Sequence, residues 1–163
     1  MNYETFFESA VGFTPYEYQV ALAKSSSFTG ILNVPTGMGK TDAIITSWIW
    51  HRHFASPEIV ATTPRRLVYC LPFRALVTQT AQRIEKILHH IGMEKEIRLS
   101  VLMGGDIDPD WDEYPEWEQV IVGTQDQLLS RALNRGYTMS RYRWPIAFGL
   151  FNSDVLWVYD EVQ

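Results

Sequence analysis

Short runs of apolar residues alternate with segments of helical periodicity along most of the chain, and this alternation constrains the fold more than any other feature. The apolar runs lie at residues 30–34, 67–71, 97–103, 120–122 and 155–159. Strands that are apolar at nearly every position are buried on both faces, and strands separated by helices usually pair in parallel. The sequence therefore predicts an α/β fold, in which helices cover both faces of a parallel sheet.

The segments between the apolar runs carry apolar residues at the spacing of one helix face. This spacing predicts helices at residues 3–11, 16–24, 40–53, 74–90 and 125–133. In a parallel sheet the working loops follow the C-terminal ends of the strands. Each polar cluster that we consider below falls at such a strand end.

Composition limits the class of protein without deciding its function. The 163 residues, with 46% hydrophobic and 20% charged, are typical of one globular domain with a real core. The net charge of −5 argues against a protein that coats nucleic acid by bulk electrostatics, although backbone N–H groups can still bind phosphates locally. The chain has no run of about 18 apolar residues, no signal-peptide pattern and one cysteine, Cys70. We therefore expect a cytoplasmic protein without a membrane segment.

A candidate phosphate-binding loop follows the first apolar run. Residues 34–41 match the phosphate-loop pattern, except that Val34 replaces the usual small residue. Glycines let the backbone wrap a polyphosphate, the lysine reaches the β- and γ-phosphates, and the threonine hydroxyl holds Mg²⁺. A glycine-rich turn with a solvated lysine is the alternative. The predicted ATP-binding residues are Pro35, Thr36, Gly37, Met38, Gly39, Lys40 and Thr41.

A candidate acidic motif follows the last apolar run. ATP hydrolysis at a phosphate loop needs one carboxylate for the magnesium ion and a group that orients the attacking water. We assign Asp160 to the metal, together with Thr41, and Glu161 to the water. With Lys40 these two acids are the predicted catalytic residues. A solvated turn is the alternative explanation for an Asp-Glu pair after a strand.

Together these motifs resemble those of superfamily 2 helicases of the DExH type. Residues 160–163 are similar to their second motif, with Gln163 where relatives usually have His or Asp. Residues 13–19 resemble their adenine-reading segment, which implies that Gln19 binds the adenine base. The resemblance implies the N-terminal part of a first RecA-like lobe, ending after the strand of the second motif. It divides the chain into N-terminal helices at 1–29 and an incomplete ATP-binding lobe at 30–163.

Further segments resemble the helicase motifs that grip a nucleic-acid backbone. Residues 71–79 are similar to a motif that binds phosphates through an arginine, and residues 122–129 resemble a later motif with a threonine at a helix N-cap. A glycine turn lies where relatives have one. A capping threonine and a surface arginine are the ordinary alternatives. The resemblance implies that the nucleic acid is contacted by Pro72, Arg74, Gly104, Gly105, Gly123 and Thr124.

One branch of these helicases resembles the chain most, namely the helicase–nuclease of type I CRISPR systems, in its subtype U/G. The similar blocks lie at residues 71–77, 123–133 and 160–162, and the resemblance runs over about residues 6–163. It implies ATP- and Mg²⁺-dependent 3′-to-5′ movement on single-stranded DNA, after a guide-RNA complex has opened the target. The second helicase lobe and the nuclease domain are not in the sequence. Alternatives are a non-catalytic nucleotide-binding or docking fragment, and a motor acting on RNA or double-stranded DNA.

In the resembled fold, a third-motif strand separates the phosphate-loop strand from the Asp-Glu strand. That strand is not in the sequence, so two apolar sheet edges would be left open. We therefore expect the chain alone to be poorly stable and inactive as an ATPase.

An acidic segment at residues 106–112 imitates the alternating acids of a calcium-binding loop, but Trp111 replaces the required glycine. We interpret this segment as a solvated loop whose tryptophans fold back onto the domain. Trp48, Trp50 and Trp157 lie within predicted elements, so we expect them to be mostly core.

Overall fold

The structure, a computed structural model, describes residues 1–28, 30–136 and 139–161. It divides into two compact units. The first consists of Met1–Thr63 and Lys86–Gly92, and the second consists of Pro64–Glu85 and the described residues from Met93 onward. No helix in the described ranges is both long and apolar enough to cross a membrane.

The first unit contains helices that the sequence pattern predicts, and one short helix that it does not. Asn2 caps the first helix by accepting a hydrogen bond from the Thr5 N–H at 2.9 Å, and Gly12 ends it with a left-handed φ of 90°. The unpredicted helix is α4, which begins at a proline. The bounds are α1 Tyr3–Val11, α2 Glu17–Lys24, α3 Lys40–His53 and α4 Pro57–Thr62.

The core of the first unit is aromatic and forms largely between α1 and α3. Tyr3 and Phe6 are buried, and the Tyr3 ring lies edge-on to Trp50 with centroids 5.7 Å apart. The Tyr3 hydroxyl is 2.8 Å from Thr46 Oγ1, so its polar end is satisfied inside the core. Trp48 is fully buried, as expected, whereas Trp50 is half-buried.

The predicted strand at residues 30–34 is wrong. This segment has no regular secondary structure, and Ile31 is 96% exposed. A strand exists only where its backbone groups pair with a neighbour, and no described strand pairs with this segment. The apolar, β-prone composition of this segment indicates a tendency to form a strand, but composition does not show whether a neighbouring strand is present to pair with it.

The second unit is built on a five-stranded sheet in the order β3-β2-β4-β1-β5. All neighbouring strands are parallel except β3, which runs antiparallel to β2 at the edge. The four longer strands confirm the prediction of a parallel sheet, and β3 was not predicted. The bounds of the five strands are β1 Arg66–Leu71, β2 Ile97–Met103, β3 Asp106–Ile107, β4 Glu118–Thr124 and β5 Val155–Tyr159.

Both faces of this sheet are covered, as the apolar strands predict. One face packs on α6 (Gln125–Ala132) and α7 (Trp144–Asn152), and α7 follows a 3-10 turn at Arg141–Arg143. The helix α5 (Arg74–Ile91) follows β1. The buried cluster on the α6 and α7 face contains Val68, Cys70, Leu102, Trp111, Ile121, Leu128, Ala147, Leu150 and Phe151. The residues that alternate with these along the central strands point to the opposite face of the sheet, and they are equally buried, namely Leu67, Tyr69, Leu71, Val120 and Val122.

A buried arginine ties the amino end of the sheet together. Arg66, at the start of β1, is 6% exposed. Its guanidinium donates hydrogen bonds to the carbonyls of Pro115 at 2.8 Å, Leu150 at 3.1 Å and Ser153 at 2.6 Å. Burial lowers the pKa of Arg66, but three carbonyl acceptors compensate for part of the lost hydration.

The strand β5 lies at the end of the sheet and pairs, among the described strands, with β1 alone. Its residues from Val155 to Val158 are half-buried and Tyr159 is 49% exposed. One row of its backbone N–H and C=O groups therefore has no strand partner in the described part of the chain.

Candidate nucleotide-binding and nucleic-acid-binding sites

The candidate phosphate loop lies in the first unit and leads directly into α3. Gly37 and Gly39 adopt left-handed φ values of 80° and 74°, which favour glycine. Lys40 is the first residue of α3, a helix of 14 residues, and Gly39 occupies its N-cap position. The first N–H groups of this helix and the positive end of its dipole are therefore next to the loop. This is the local geometry that the motif predicts for binding a polyphosphate.

The Lys40 side chain lies along the loop. Its ammonium donates a hydrogen bond to the Val34 carbonyl at 3.1 Å. An ammonium has three N–H donors, and this bond uses one of them. The remaining donors leave Lys40 able to bind phosphate oxygens, which is the role that the sequence predicts for it.

The predicted adenine reader, Gln19, contacts the phosphate loop in the structure. It is 2% exposed, and its Nε2 donates to the Gly39 carbonyl at 3.0 Å. Its Oε1 accepts from the Tyr16 N–H at 2.9 Å, which helps to cap α2. Both ends of the amide are thus engaged within the protein. The adenine role of Gln19 stays a prediction.

A second side chain from α2 supports the loop, and sequence reasoning missed it. The Tyr18 hydroxyl donates to the Met38 carbonyl at 2.5 Å. Together with Gln19 it holds the carbonyls of two consecutive loop residues, Met38 and Gly39. The only signal in the sequence was the position of Tyr18 next to the glutamine of the resembled motif.

The candidate acidic motif lies in the second unit, at the end of β5. The Asp160 N–H donates to the Cys70 carbonyl at 3.1 Å, and Asp160 Oδ2 accepts from the Tyr69 hydroxyl at 2.8 Å. Asp160 Oδ1 accepts from the Glu161 N–H at 2.9 Å, and Glu161 has a left-handed φ of 55°. Each oxygen keeps a further lone pair, so the carboxylate is fixed in orientation yet able to bind a cation. Val162 and Gln163 lie outside the described residues.

Tyr69 is the second residue that sequence reasoning missed. Its hydroxyl contacts Asp160 because β1 pairs in parallel with β5, which brings the carboxyl ends of both strands together. The phosphate loop and Asp160 belong to different units. Their meeting across one magnesium–triphosphate stays a prediction.

The predicted nucleic-acid residues follow three neighbouring strands of the second unit. Pro72 and Arg74 follow β1, Gly104 and Gly105 follow β2, and the Gly-Thr pair ends β4. Because β2, β4 and β1 are adjacent and parallel, these positions share one edge of the sheet. Gly105 has a φ of 82°, and a Cβ there would lie 3.9 Å from Arg74 Nη2. The structure thus brings exposed Arg74 next to this glycine turn.

The Gly123-Thr124 pair differs from the other candidates because it is buried. A Cβ at Gly123 would lie 2.5 Å from the Leu102 carbonyl and 2.9 Å from the Leu128 side chain, so close packing requires glycine there. Thr124 occupies the N-cap of α6 but makes no side-chain cap, and it is 5% exposed. Its hydroxyl has no hydrogen-bond partner among the described residues. Phosphate contacts by these two residues stay predictions.

A glycine loop of this conformation at the N-terminus of a helix is the loop–helix half of the arrangement in P-loop nucleotide-binding proteins, whereas the strand that precedes the loop in those proteins is not formed by residues 30–34. Residues 16–162 match the family of DEAD/DEAH box helicases, and the chain belongs to that family. The superfamily 2 assignment is confirmed, and intact members of the family hydrolyse ATP. No curated protein matches the chain.

DEAD/DEAH box helicases use ATP together with a divalent metal, typically Mg²⁺. The Thr41 hydroxyl and the Asp160 carboxylate are hard oxygen donors of the kind that Mg²⁺ prefers. No group of three or more His, Cys, Asp or Glu side chains within the described ranges could hold a metal ion by itself.

The thiol of Cys70 is unsuited to act as a nucleophile. It is buried in β1, and burial raises the pKa of its thiol to about 11. The reactive thiolate is therefore scarce at neutral pH.

Proposed function

We propose that this chain is the nucleotide-binding part of an ATP-driven motor that moves along single-stranded DNA. The observation that carries the proposal is the phosphate loop at the start of α3, held by side chains of α2 through the Met38 and Gly39 carbonyls. These two hydrogen bonds hold the backbone of the loop in one conformation. Membership of the DEAD/DEAH box helicase family supports an ATP-driven nucleic-acid motor.

In this proposal each residue has one role in hydrolysis. Lys40 neutralises charge on the β- and γ-phosphates, and Thr41 and Asp160 bind the metal that ATP brings. Glu161 orients the attacking water and accepts its proton. The Tyr69 hydroxyl holds Asp160 in the orientation that the metal requires.

The substitution Lys40→Ala tests the nucleotide role in the longest available form of the protein. We expect nucleic-acid-stimulated ATP hydrolysis to fall by about a hundredfold or more, because the phosphate charge is no longer neutralised. Lys86→Ala, at an exposed position of α5, is the matched control. Undiminished turnover in Lys40→Ala would rule out this role.

Single-stranded DNA is the proposed track because the helicases that the chain resembles move along it, and exposed Arg74, beside the glycine turn at the carboxyl edge of the sheet, is the candidate contact to its phosphates. Binding is measured by fluorescence anisotropy with labelled oligo(dT), oligo(U) and duplex DNA over a range of salt concentrations. Arg74→Ala should weaken binding and reduce the slope of log K against log salt by about 1, since one phosphate contact is lost. Lys86→Ala again controls for net charge. Preference for oligo(U) or duplex would replace the proposed substrate.

We further propose that this motor acts in type I CRISPR interference, in the cytoplasm, recruited by a guide-RNA complex. The support is the similarity of residues 71–77 and 123–133 to the helicase–nuclease of those systems. The test is a pull-down with a purified subtype G guide-RNA complex, loaded either on a matched target that it opens or on an unmatched duplex. Retention only on the opened target supports the proposal, and equal retention on both contradicts it.

A non-catalytic nucleotide-binding or docking module is the second candidate. It is favoured by the observation that residues 30–34, which precede the phosphate loop, do not form a strand. Under this alternative the protein binds ATP but nucleic acid does not stimulate turnover in any longer form. The same ATPase assay therefore separates the two candidates.

A further inference from the structure

The segment at residues 13–19 resembles a motif that reads adenine, but its polar side chains make hydrogen bonds within the first unit. The Thr14 hydroxyl donates to Glu8 Oε1 at 2.9 Å, and the Tyr18 hydroxyl donates to the Met38 carbonyl. A side chain that recognises a base gives its donors and acceptors to the edge of that base. The donors of these two hydroxyls are instead used inside the protein.

Gln19 shows this most clearly, because both ends of its amide are engaged at the same time. Nε2 donates to the Gly39 carbonyl at 3.0 Å, and Oε1 accepts from the Tyr16 N–H at 2.9 Å. Gln19 is 2% exposed, and a Cβ at Gly39 would lie only 3.0 Å from Nε2, so the amide is packed against the loop. Its second N–H and second lone pair are buried with it. Gln19 could therefore reach the edge of a base only by leaving the loop.

The large apolar side chains that this segment exposes are aromatic rings. Phe13 is 73% exposed and Tyr16 is 52% exposed. The Tyr16 ring is stacked with the Tyr18 ring, with centroids 6.2 Å apart and planes at 14°, which limits its movement. An aromatic ring can stack on any base, because every base has a π face. Stacking on these rings would therefore not distinguish adenine from guanine.

We infer that Gln19 is a positioning residue for the phosphate loop, and that the site binds nucleoside triphosphates without selecting the base. The inference rests on the function proposed above, since it concerns the same nucleotide site. The Gln19 amide holds the Gly39 carbonyl, and Gly39 immediately precedes Lys40, so the amide acts on a ligand through the loop. A group that acts through the loop affects every ligand that carries a triphosphate, whether or not adenine is attached. The substrates are thus nucleoside triphosphates as a class, bound mainly through their phosphates.

The test is a competition titration on the longest available form of the protein. MgATP, MgGTP and magnesium tripolyphosphate each displace an ATP analogue that carries a fluorophore on its ribose. Tripolyphosphate has neither base nor sugar, so it reports on the phosphate loop alone. In the unmodified protein we expect the affinities for ATP and GTP to agree within about fivefold, since stacking tolerates both bases.

The substitution Gln19→Met keeps nearly the same side-chain volume and adds no charge, but it removes the hydrogen bond to the loop. We expect it to weaken the binding of all three ligands by the same factor, about three- to tenfold. Gln82→Met, at an exposed position of α5, is the matched control and should leave all three affinities unchanged. A thermal melt without ligand checks that each variant is folded.

Lys40→Ala separates this inference from the proposed function. It should weaken the binding of all three ligands, and unchanged tripolyphosphate binding in Lys40→Ala would contradict the nucleotide site itself. If Lys40→Ala behaves as expected, two results would overturn the inference alone. One is a preference for ATP over GTP beyond about fivefold in the unmodified protein, and the other is unchanged tripolyphosphate affinity in Gln19→Met. The first result needs no variant, so the test stays decisive should Gln19→Met fail to fold.

Discussion

The hydroxyl of Tyr18 offers the most direct test of how the phosphate loop is held. Tyr18→Phe removes the hydrogen bond to the Met38 carbonyl and changes nothing else in the shape of the side chain. A neutral hydrogen bond contributes about 0.5–1.5 kcal/mol, and Tyr18 is only half-buried, so the lower half of this range applies. If the bond holds the loop in its binding conformation, ATP affinity should fall by about two- to fivefold.

The measurement is a titration with a fluorescent ATP analogue in the presence of Mg²⁺, together with a thermal melt. Tyr142→Phe is the matched control, since Tyr142 is 93% exposed. Gln19→Ala should have a larger effect, because it leaves two backbone groups, the Gly39 carbonyl and the Tyr16 N–H, without a partner. Unchanged ATP affinity in Tyr18→Phe, with the melting temperature also unchanged, would refute the idea that α2 supports the loop.

Three further predictions concern the second unit. Gly123→Ala should destabilise the protein by about 1–3 kcal/mol in a denaturant titration, because its Cβ would lie 2.5 Å from a carbonyl of β2. Gly149→Ala, in open space on α7, should instead raise stability slightly, and equal effects of the two would contradict the packing argument. Tyr69→Phe should raise the Mg²⁺ concentration needed for half-maximal nucleotide binding about two- to tenfold, since the Asp160 carboxylate loses the hydrogen bond that orients it. An unchanged Mg²⁺ requirement would show that Asp160 does not bind the metal. With a pKa of about 11, the Cys70 thiol at pH 8 has about a hundredfold less thiolate than an ordinary thiol, so iodoacetamide should label it only after unfolding. Rapid labelling of the folded protein would contradict its burial.

The sequence predicted the sheet well where burial alone decides the outcome. Residues 67–71 are apolar on both sides of the strand, residues 97–103 are apolar except at Arg98 and Ser100, and both segments form strands, β1 and β2, almost as predicted. Residues 30–34 are also mostly apolar but have no paired neighbour among the described strands, so they do not form a strand. Strand formation depends on a pairing strand that can be distant in sequence, and the composition of a segment does not indicate whether such a strand exists. The antiparallel edge strand β3 was missed for the same reason.

The helix α7 was missed because its signal is weak. It is nine residues long, apolar around most of its circumference, preceded by a 3-10 turn, and has a proline as its second residue. Such a segment shows little of the one-sided periodicity from which helices are recognised. Of the tryptophans expected in the core, Trp48 is fully buried and Trp157 is half-buried on the outer strand.

The candidate site was predictable where it depends on a local motif and not elsewhere. The two glycines of the phosphate loop adopt the conformations that the motif requires, since those conformations are set within a few residues. Tyr18 and Tyr69 act through hydrogen bonds to residues 20 and 91 positions away, and no spacing rule indicates them. Motifs show which residues can do chemistry, whereas the side chains that hold them are found only in the fold.

The three hydrogen bonds of Arg66 bear on the order in which the second unit can fold. They join β1 to residues that are 49, 84 and 87 positions further along the chain. Contacts over such separations require long loops to close first, so they slow folding and form late. During synthesis the Arg66 guanidinium can form all three hydrogen bonds only after residues 150–153 have left the ribosome. The amino end of the sheet therefore reaches its final structure only at that stage.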